Sequence, residues 1–94
     1  MSAKDVKGKD RLRLIPYQAL VKVSKVREFG IAKYGGDDTG WKTVDKDDFA
    51  EAALRHIYKY FDGEELDDES GLHHLHHAAC SLILAIAVKD KETK

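Results

Sequence analysis

Hydrophobic residues return every three or four positions in three separate stretches of the chain, and this period predicts three amphipathic α-helices. The first is predicted over residues 17–34, just after Pro16, because a proline in the first turn of a helix has no N–H group to leave unpaired. The second is predicted to begin near residues 45–48, where acidic side chains suit the positive end of a helix, and to end at the stop signal Asp62-Gly63.

The third helix is predicted to begin with Ser70 as its N-cap and to run to about Lys89. The stripes expected to face the core are Leu20, Val23, Val26, Gly30 and Tyr34 in the first helix, Phe49, Ala53, Ile57, Tyr60 and Phe61 in the second, and Leu72, Leu75, Ala79, Leu82, Ile83 and Ile86 in the third. The predicted fold class is therefore all-α, an antiparallel domain of three main helices. Residues 1–13 are predicted to form an extended basic arm, residues 14–90 a single all-α domain, and residues 91–94 a polar tail.

Composition agrees with a small soluble domain. The chain has 94 residues, of which 43% are hydrophobic and 35% charged, too few for two domains. A single cysteine excludes an internal disulfide and fits a reducing compartment. The longest apolar stretch, of about 11 residues, is much shorter than a bilayer span requires, and the first ten residues lack the apolar core of a secretory signal. The predicted location is therefore the cytoplasm, which is that of the host cell if a phage encodes the protein.

Charge is distributed unevenly although the net charge is only −1. Residues 1–36 are mainly basic, and residues 37–70 are mainly acidic. Such a chain can bind an anion through one part and a cation through the other, or the two parts can simply neutralise each other at a solvated surface. A sustained basic face is absent, so nucleic-acid binding is not predicted.

Four histidines occur within five positions, and two of them, His74 and His77, lie one helical turn apart. The acidic segment just before them includes Glu64, Asp67 and Glu69. These residues form a candidate site for a divalent metal, and imidazole nitrogens suit zinc, manganese, cobalt or nickel better than magnesium. His56 on the second helix can line the same crevice. The alternative interpretation is that the imidazoles are polar groups hydrogen bonded to the acidic loop and to carbonyl groups.

Four other residues are candidates for contact with a nucleotide. Arg55 can grip a phosphate through two N–H groups, and Lys33 offers a point charge. Tyr34 and Trp41 can stack on a base. The alternatives are surface ion pairs for the two cations and packing for the aromatic rings.

Several segments follow one another in a characteristic order: KDRLRLIPYQAL, FGIAKYG, the isolated Trp41, AALRH and GEELDDESGLHHLHHAAC. Through them the chain, from about Lys9 to Leu84, resembles the N-terminal domain of phage-encoded dATP/dGTP diphosphohydrolases. The last segment carries the most specific residues of the family pattern: Gly63, Glu64, Asp67, Glu69, Ser70, Gly71, His74, His77, Ala78 and Ala79.

This family is distantly similar to the all-α nucleoside triphosphate pyrophosphohydrolases of MazG type, which hold magnesium with an E-x-x-E helix and a later E-x-x-D helix. The present sequence departs from that pattern. Glu51 is followed three residues later by Leu54, and the later helix offers His74-x-x-His77. The resemblance implies magnesium or manganese, whereas the histidine pair admits zinc, cobalt or nickel. Three explanations stay open: another metal, carboxylates supplied by the loop, or no hydrolysis.

The sequence thus predicts an enzyme of phage nucleotide metabolism that hydrolyses a purine deoxynucleoside triphosphate to the monophosphate and pyrophosphate. In this hypothesis the metal ligands are Glu64, Asp67, Glu69, His74 and His77, the catalytic groups are Glu64, Asp67 and His56, and the substrate contacts are Lys33, Tyr34, Trp41 and Arg55. One alternative is a module that binds a purine nucleotide or a nucleotide-derived signal without cleaving it. Another is a purely structural partner protein whose histidines cap and pack.

An assembly of several chains is also expected. The third helix has a second non-polar face of small residues below the histidines: Ala78, Ser81 and Ala85. Three helices cannot cover both faces of this helix, so a homodimer or a higher oligomer is predicted, with the site at or near a subunit interface.

Overall fold

The computed structural model describes residues 9–88 of the chain. Three helices form it: α1 spans Tyr17–Lys33, α2 spans Lys46–Phe61 and α3 spans His74–Ala87. Short 3₁₀ turns at Leu12–Leu14 and Gly40–Thr43 precede α1 and α2. No β-strand forms within residues 9–88, so the predicted all-α class with three main helices is confirmed.

Helix α3 is the centre of the domain because it packs against both α1 and α2. On the α2 side, His56 stacks on His77 with a distance of 4.4 Å between the ring centroids, and Tyr60 meets His73 at 5.5 Å. Tyr60, which is nearer the end of α2 than His56, thus contacts a residue nearer the beginning of α3. These two helices therefore run antiparallel.

Helix α2 ends in a left-handed turn that directs the chain back toward α3. Gly63 has a φ angle of +102°, and its N–H group donates to the carbonyl of Tyr60. The N–H group of Glu64 donates to the carbonyl of Lys59. This pair of hydrogen bonds is the Schellman arrangement, in which glycine is favoured because it has no Cβ to clash.

The start of α3 differs from the predicted one. Its N-cap is His73, whose Nδ1 accepts a hydrogen bond from the N–H group of Leu75 at 3.0 Å. Ser70 lies in the preceding turn, where its hydroxyl oxygen accepts from the N–H group of Leu72. Gly71 has a φ angle of +74°, which a right-handed helix cannot include, so the helix begins only after it.

The face of α3 that packs inside the protomer also differs from the predicted one. His74, Ala78 and Cys80 are buried, whereas most of the expected stripe is exposed: Leu75, Leu82, Ile83 and Ile86. Ala78, expected at a subunit interface, is only 4% exposed because the protomer itself covers it. The period alone could not choose between two apolar faces, and the smaller one lies against the neighbouring helices.

In α1 and α2, fewer residues are buried than the predicted core-facing stripes of these two helices imply. Val26 is buried in α1 and Ala53 in α2. Several residues expected in the core are exposed at the surface of the protomer: Leu20, Tyr34, Tyr60 and Phe61. The apolar core of a single chain is therefore small.

The division of the chain into arm, domain and tail stays a prediction. Residues 1–8 of the expected arm, the expected helix end near Lys89 and the expected polar tail at residues 91–94 lie outside the described residues. Within residues 9–88, every helix is too short or too polar to cross a membrane.

Two glycine substitutions test the role of the turn after α2. We expect Gly63→Ala to lower the free energy of unfolding by about 1–2 kcal/mol, because alanine is strained at a positive φ angle. The matched control is Gly30→Ala within α1, where no heavy atom lies within 4 Å of the added Cβ, and it should raise stability by up to about 1 kcal/mol. Urea unfolding measures both changes, and equal effects would contradict the assignment.

Candidate metal centre and adjoining cleft

The acidic loop between α2 and α3 is a tightly hydrogen-bonded turn around Asp67. One carboxylate oxygen of Asp67 accepts from the backbone N–H groups of Glu69 and Ser70 at 3.0 and 2.8 Å. The Asp67 N–H group donates to the carbonyl of Leu72 at 2.8 Å. The turn therefore fixes Asp67 as a buried carboxylate instead of leaving it in solvent.

Three side chains from separate segments meet beside this turn. The Nδ1 atoms of His56 on α2 and His74 on α3 are 2.8 Å apart. The potential ligand atoms of His56, Asp67 and His74 all lie within 4.8 Å of one another. This set, called here the His–Asp–His cluster, is the group within residues 9–88 whose spacing can hold a metal ion.

His74 is the most enclosed member of the His–Asp–His cluster, with an exposed fraction of 0%. Its Nε2 lies 2.7 Å from a carboxylate oxygen of Glu64, while its Nδ1 faces His56. A carboxylate on the far ring nitrogen fixes the orientation of a ligating histidine and makes it a stronger donor. Glu64 thus orients His74 and lies outside the cluster itself.

The surroundings favour the neutral form of His56 and His77 and the ionised form of Asp67, because they lower the pKa of all three groups. Burial, followed by the charges of His77 and His74, lowers the pKa of His56 to about 4. Burial also lowers the pKa of His77. Burial alone would raise the pKa of Asp67, but hydrogen bonds from Ser70 and Glu69 and the charge of His77 together lower it.

The donor set fits a divalent cation. Neutral imidazole and ionised carboxylate are the forms that bind metals, and two nitrogens with one oxygen match common zinc and other transition-metal sites. One of the two facing Nδ1 atoms of His56 and His74 carries a hydrogen that the other accepts, because two unprotonated nitrogens repel each other at 2.8 Å, and a bound metal ion would replace that hydrogen.

A cleft of about 550 Å³ adjoins the His–Asp–His cluster. His56 and Asp67 lie in its wall together with His77. The rest of the wall contains the apolar, aromatic and charged side chains expected around an organic anion, among them Phe29, Ile31, Val44, Phe49, Leu84, Arg27 and Lys33. Its volume is within the range of small-molecule sites.

Two cationic side chains face the cleft. Lys33 lines it and forms an ion pair with Glu69 at 2.9 Å, which raises the pKa of Lys33. Arg27 also lines it and donates to the carbonyl of Asp38. Arg55 is exposed on α2 and is not among the lining residues, so Arg27 occupies the place expected for it.

The predicted aromatic residues both line the cleft. Trp41 lies in its wall on the 3₁₀ turn Gly40–Thr43, and Tyr34 lies at the end of α1, where it is largely exposed. Phe29 adds a third ring and meets His77 edge to face. Flat apolar faces and cations therefore share one cleft.

Two predicted metal ligands have other partners. Glu69 pairs with Lys33, and the Nε2 of His77 lies 2.7 Å from the hydroxyl oxygen of Ser70. His77 is stacked on His56 with an interplanar angle of 14°. These contacts hold both residues beside the His–Asp–His cluster.

No role was predicted for Arg27 or Phe29, and His56 was predicted to take part in proton transfer. Arg27 lies four residues after Val23 and three before Gly30, on the helical period of the predicted stripe of α1. That spacing was a usable signal, because a cation on an apolar stripe often faces an anion. His56 was expected to line the same crevice as His74 and His77, but its direct contact with His74 depends on how α2 and α3 pack and has no signal in the sequence.

The fold and the cleft define an all-α domain with a buried cluster of histidines and carboxylates beside a cationic, aromatic cavity. The family described as dATP/dGTP diphosphohydrolase, N-terminal, matches residues 2–94, and the chain belongs to this family. A dATP/dGTP diphosphohydrolase of Salmonella phage PMBT28 is 34% identical over 76 residues, which cover 81% of this chain and 26% of that relative. The chain thus spans about a quarter of the relative's length. No solved structure matches the chain, and the similarity to MazG-type enzymes stays a prediction.

Metal binding by the His–Asp–His cluster can be tested with two histidine variants. We expect His56→Gln to weaken binding of zinc, cobalt or manganese at least tenfold, because one of the nitrogen donors is lost. The matched control is His76→Gln, since His76 is on α3 but outside the cluster. Titration of metal-free protein followed by elemental analysis measures both, and equal losses would refute the assignment.

The lowered pKa of His56 predicts a pH dependence of stability in the metal-free protein. As the pH falls from 7 to 5, unfolded His56 takes up a proton near its ordinary pKa of 6.5, whereas the folded form resists protonation until about pH 4. The unfolded state therefore binds more protons, and the free energy of unfolding decreases as the pH falls. Urea unfolding at several pH values should show this slope, and it should be smaller in His56→Gln. A slope unchanged in the variant would contradict the prediction.

Proposed function

We propose that this chain binds a purine (deoxy)nucleoside triphosphate in the cleft and hydrolyses it to the monophosphate and pyrophosphate with a divalent metal held by the His–Asp–His cluster. The observation that carries the proposal is the position of this cluster in the wall of a cleft that also presents Arg27, Lys33 and Trp41. The name of the phage relative supports a nucleotide hydrolase role.

The cleft divides into two chemical regions. Arg27 and Lys33 supply positive charge suited to phosphate oxygens, while Trp41 and Tyr34 supply faces on which a purine can stack. Lys33 forms an ion pair with Glu69, so a triphosphate would compete with that carboxylate for the ammonium group. The proposal therefore assigns the phosphates to the end of the cleft near Glu69 and Asp67.

The ligands in this scheme are Nδ1 of His56, Nδ1 of His74 and the carboxylate of Asp67. A divalent cation held by these residues would neutralise phosphate oxygens and lower the pKa of a water molecule. His77, stacked on His56 and fixed by Ser70, keeps the ring of His56 in place. Glu64 keeps the Nδ1 of His74 turned toward the cluster through its contact with Nε2.

The reaction adds water to the α-phosphorus and breaks the bond from that phosphorus to the oxygen bridging to the β-phosphate. Pyrophosphate leaves, and the proton of the water goes to a carboxylate or an imidazole. Of the acceptors left open by the sequence, the arrangement favours a carboxylate over His56, because the Nδ1 of His56 faces the cluster. Arg27 and Lys33 stabilise the charge that develops on the pyrophosphate.

A non-catalytic alternative has a specific observation in its favour. The chain corresponds to about a quarter of its phage relative, so groups needed for hydrolysis can belong to the rest of that protein. In this alternative the same cleft binds a purine nucleotide, or a signal derived from one, without cleaving it. Recovery of intact nucleotide from a stoichiometric complex, with every metal tested, would favour binding alone.

The remaining parts of the proposal concern setting and assembly. The proposed location is the cytoplasm of the infected host, where nucleoside triphosphates are present. A homo-oligomer also remains part of the proposal, because the protomer leaves many large apolar side chains uncovered.

Two arginine variants test the substrate site. We expect Arg27→Gln to lower kcat/KM for dATP or dGTP at least roughly tenfold, because a charged hydrogen bond to phosphate is lost. Arg55→Gln is the matched control, since Arg55 is exposed outside the cleft, and its kcat/KM should stay within about twofold of the original. Product analysis with magnesium, manganese, cobalt and zinc measures both. Absence of turnover by folded protein with all four metals would exclude hydrolysis by this chain.

A further inference from the structure

Helix α3 has a second apolar face that the rest of residues 9–88 leaves uncovered. Leu75, Leu82, Ile83 and Ile86 are exposed, Ile86 by 83%. The helix contains no aspartate, glutamate, lysine or arginine. Apart from its three histidines and Ser81 the helix is apolar, and a wide apolar face of a helix is ordinarily buried. Residues 9–88 leave this face of α3 without such cover.

The exposed face lies opposite the face that packs inside the protomer. With 3.6 residues per turn, the cleft-lining residues His77, Ser81 and Leu84 lie on one side of α3, and the exposed residues Leu75, Leu82 and Ile86 lie on the other, with Ala78 at the border between the two sides. Leu75, Ala79, Leu82 and Ile86 succeed one another at steps of four, three and four residues. This is the spacing with which one helix packs against another in a coiled coil.

We propose that this face, called here the α3 seam and formed by Leu75, Ala79, Leu82 and Ile86, binds the α3 seam of a second copy of the chain in an antiparallel two-fold dimer. In that register Leu75 meets the partner's Ile86 and Ala79 meets the partner's Leu82. A two-fold axis repeats both contacts, so in this alignment each of the four seam residues of one chain packs against a seam residue of the other.

Side-chain volume favours the antiparallel arrangement over the parallel one. Antiparallel pairing puts each leucine at position 82 against an alanine, so a large and a small side chain share each central layer. Parallel pairing in register would put Ala79 against the partner's Ala79 and leave a gap between two large layers. The absence of like charges on α3 also removes the repulsion that usually prevents identical helices from pairing.

The dimer would leave both clefts open. Ser81 and Leu84 line the cleft from the opposite side of α3, together with His77. Association through the α3 seam and chemistry in the cleft are therefore separate properties, and this inference does not depend on the proposed hydrolysis. It also differs from the expectation that the site lies at the subunit interface.

Substitution within the α3 seam tests the surface. We expect the original protein to be a dimer at micromolar concentration. Leu82→Glu should raise the dissociation constant of the dimer at least about 100-fold, because the substitution removes one buried leucine from each of the two chains. The matched control is Leu54→Glu on α2, since Leu54 and Leu82 are both 44% exposed, and this variant should remain dimeric. Sedimentation or light scattering gives the masses, and circular dichroism confirms that each variant stays helical.

Mixing two variants tests the register. Leu75→Glu and Ile86→Lys should each be monomeric alone, whereas their equimolar mixture should form a heterodimer in which the glutamate faces the partner's lysine. A parallel dimer would not be restored by mixing, because the two charges would lie at opposite ends of the seam. The proposal is overturned if the original protein is monomeric, if it remains dimeric after Leu82→Glu, or if the mixture stays monomeric.

Discussion

The fully buried imidazole of His74 is the contact around which the rest of the domain is arranged. A buried polar ring is tolerated only where both nitrogens have partners, and here Glu64 and His56 supply them. One partner comes from the loop after α2 and the other from α2 itself. The requirement to satisfy this ring thus ties together α2, the loop and the start of α3.

The same requirement explains which residues surround His74. Ala53 and Ala78 are nearly inaccessible, and their small side chains allow α2 and α3 to approach closely enough for imidazoles to touch across the contact. Asp67 is held in place by backbone N–H groups of its own turn and not by a flexible ion pair. A carboxylate and two imidazoles are therefore brought together by packing and backbone geometry, which is the preorganisation that metal binding needs.

Because polar and small residues occupy the inner face of α3, its large aliphatic residues lie on the outer face. The protomer buries only a few apolar side chains, because the interior of the α2–α3 contact is occupied by histidines and alanines. Large aliphatic residues that would ordinarily form the core lie on the outside of α3. The polar site and the uncovered aliphatic face therefore have a common origin in the composition of one helix.

The sequence by itself determined the class of fold and the number of helices, and it pointed to His56, Asp67 and His74 among the candidate residues of the site. Hydrophobic period and glycine stop signals are local properties, so they predicted α1 and α2 to within a residue or two and located the loop that carries Glu64 and Asp67. The start of α3 was missed because the left-handed conformation of Gly71 and the cap provided by His73 compete with a serine that also looks like an N-cap. Tertiary structure alone decided which face of α3 is buried, because an uncharged helix with two apolar faces has no local preference between them. It also decided that His56 meets His74 and that Arg27 lines the cleft while Arg55 does not, since those contacts join residues on different helices and depend on how the helices pack.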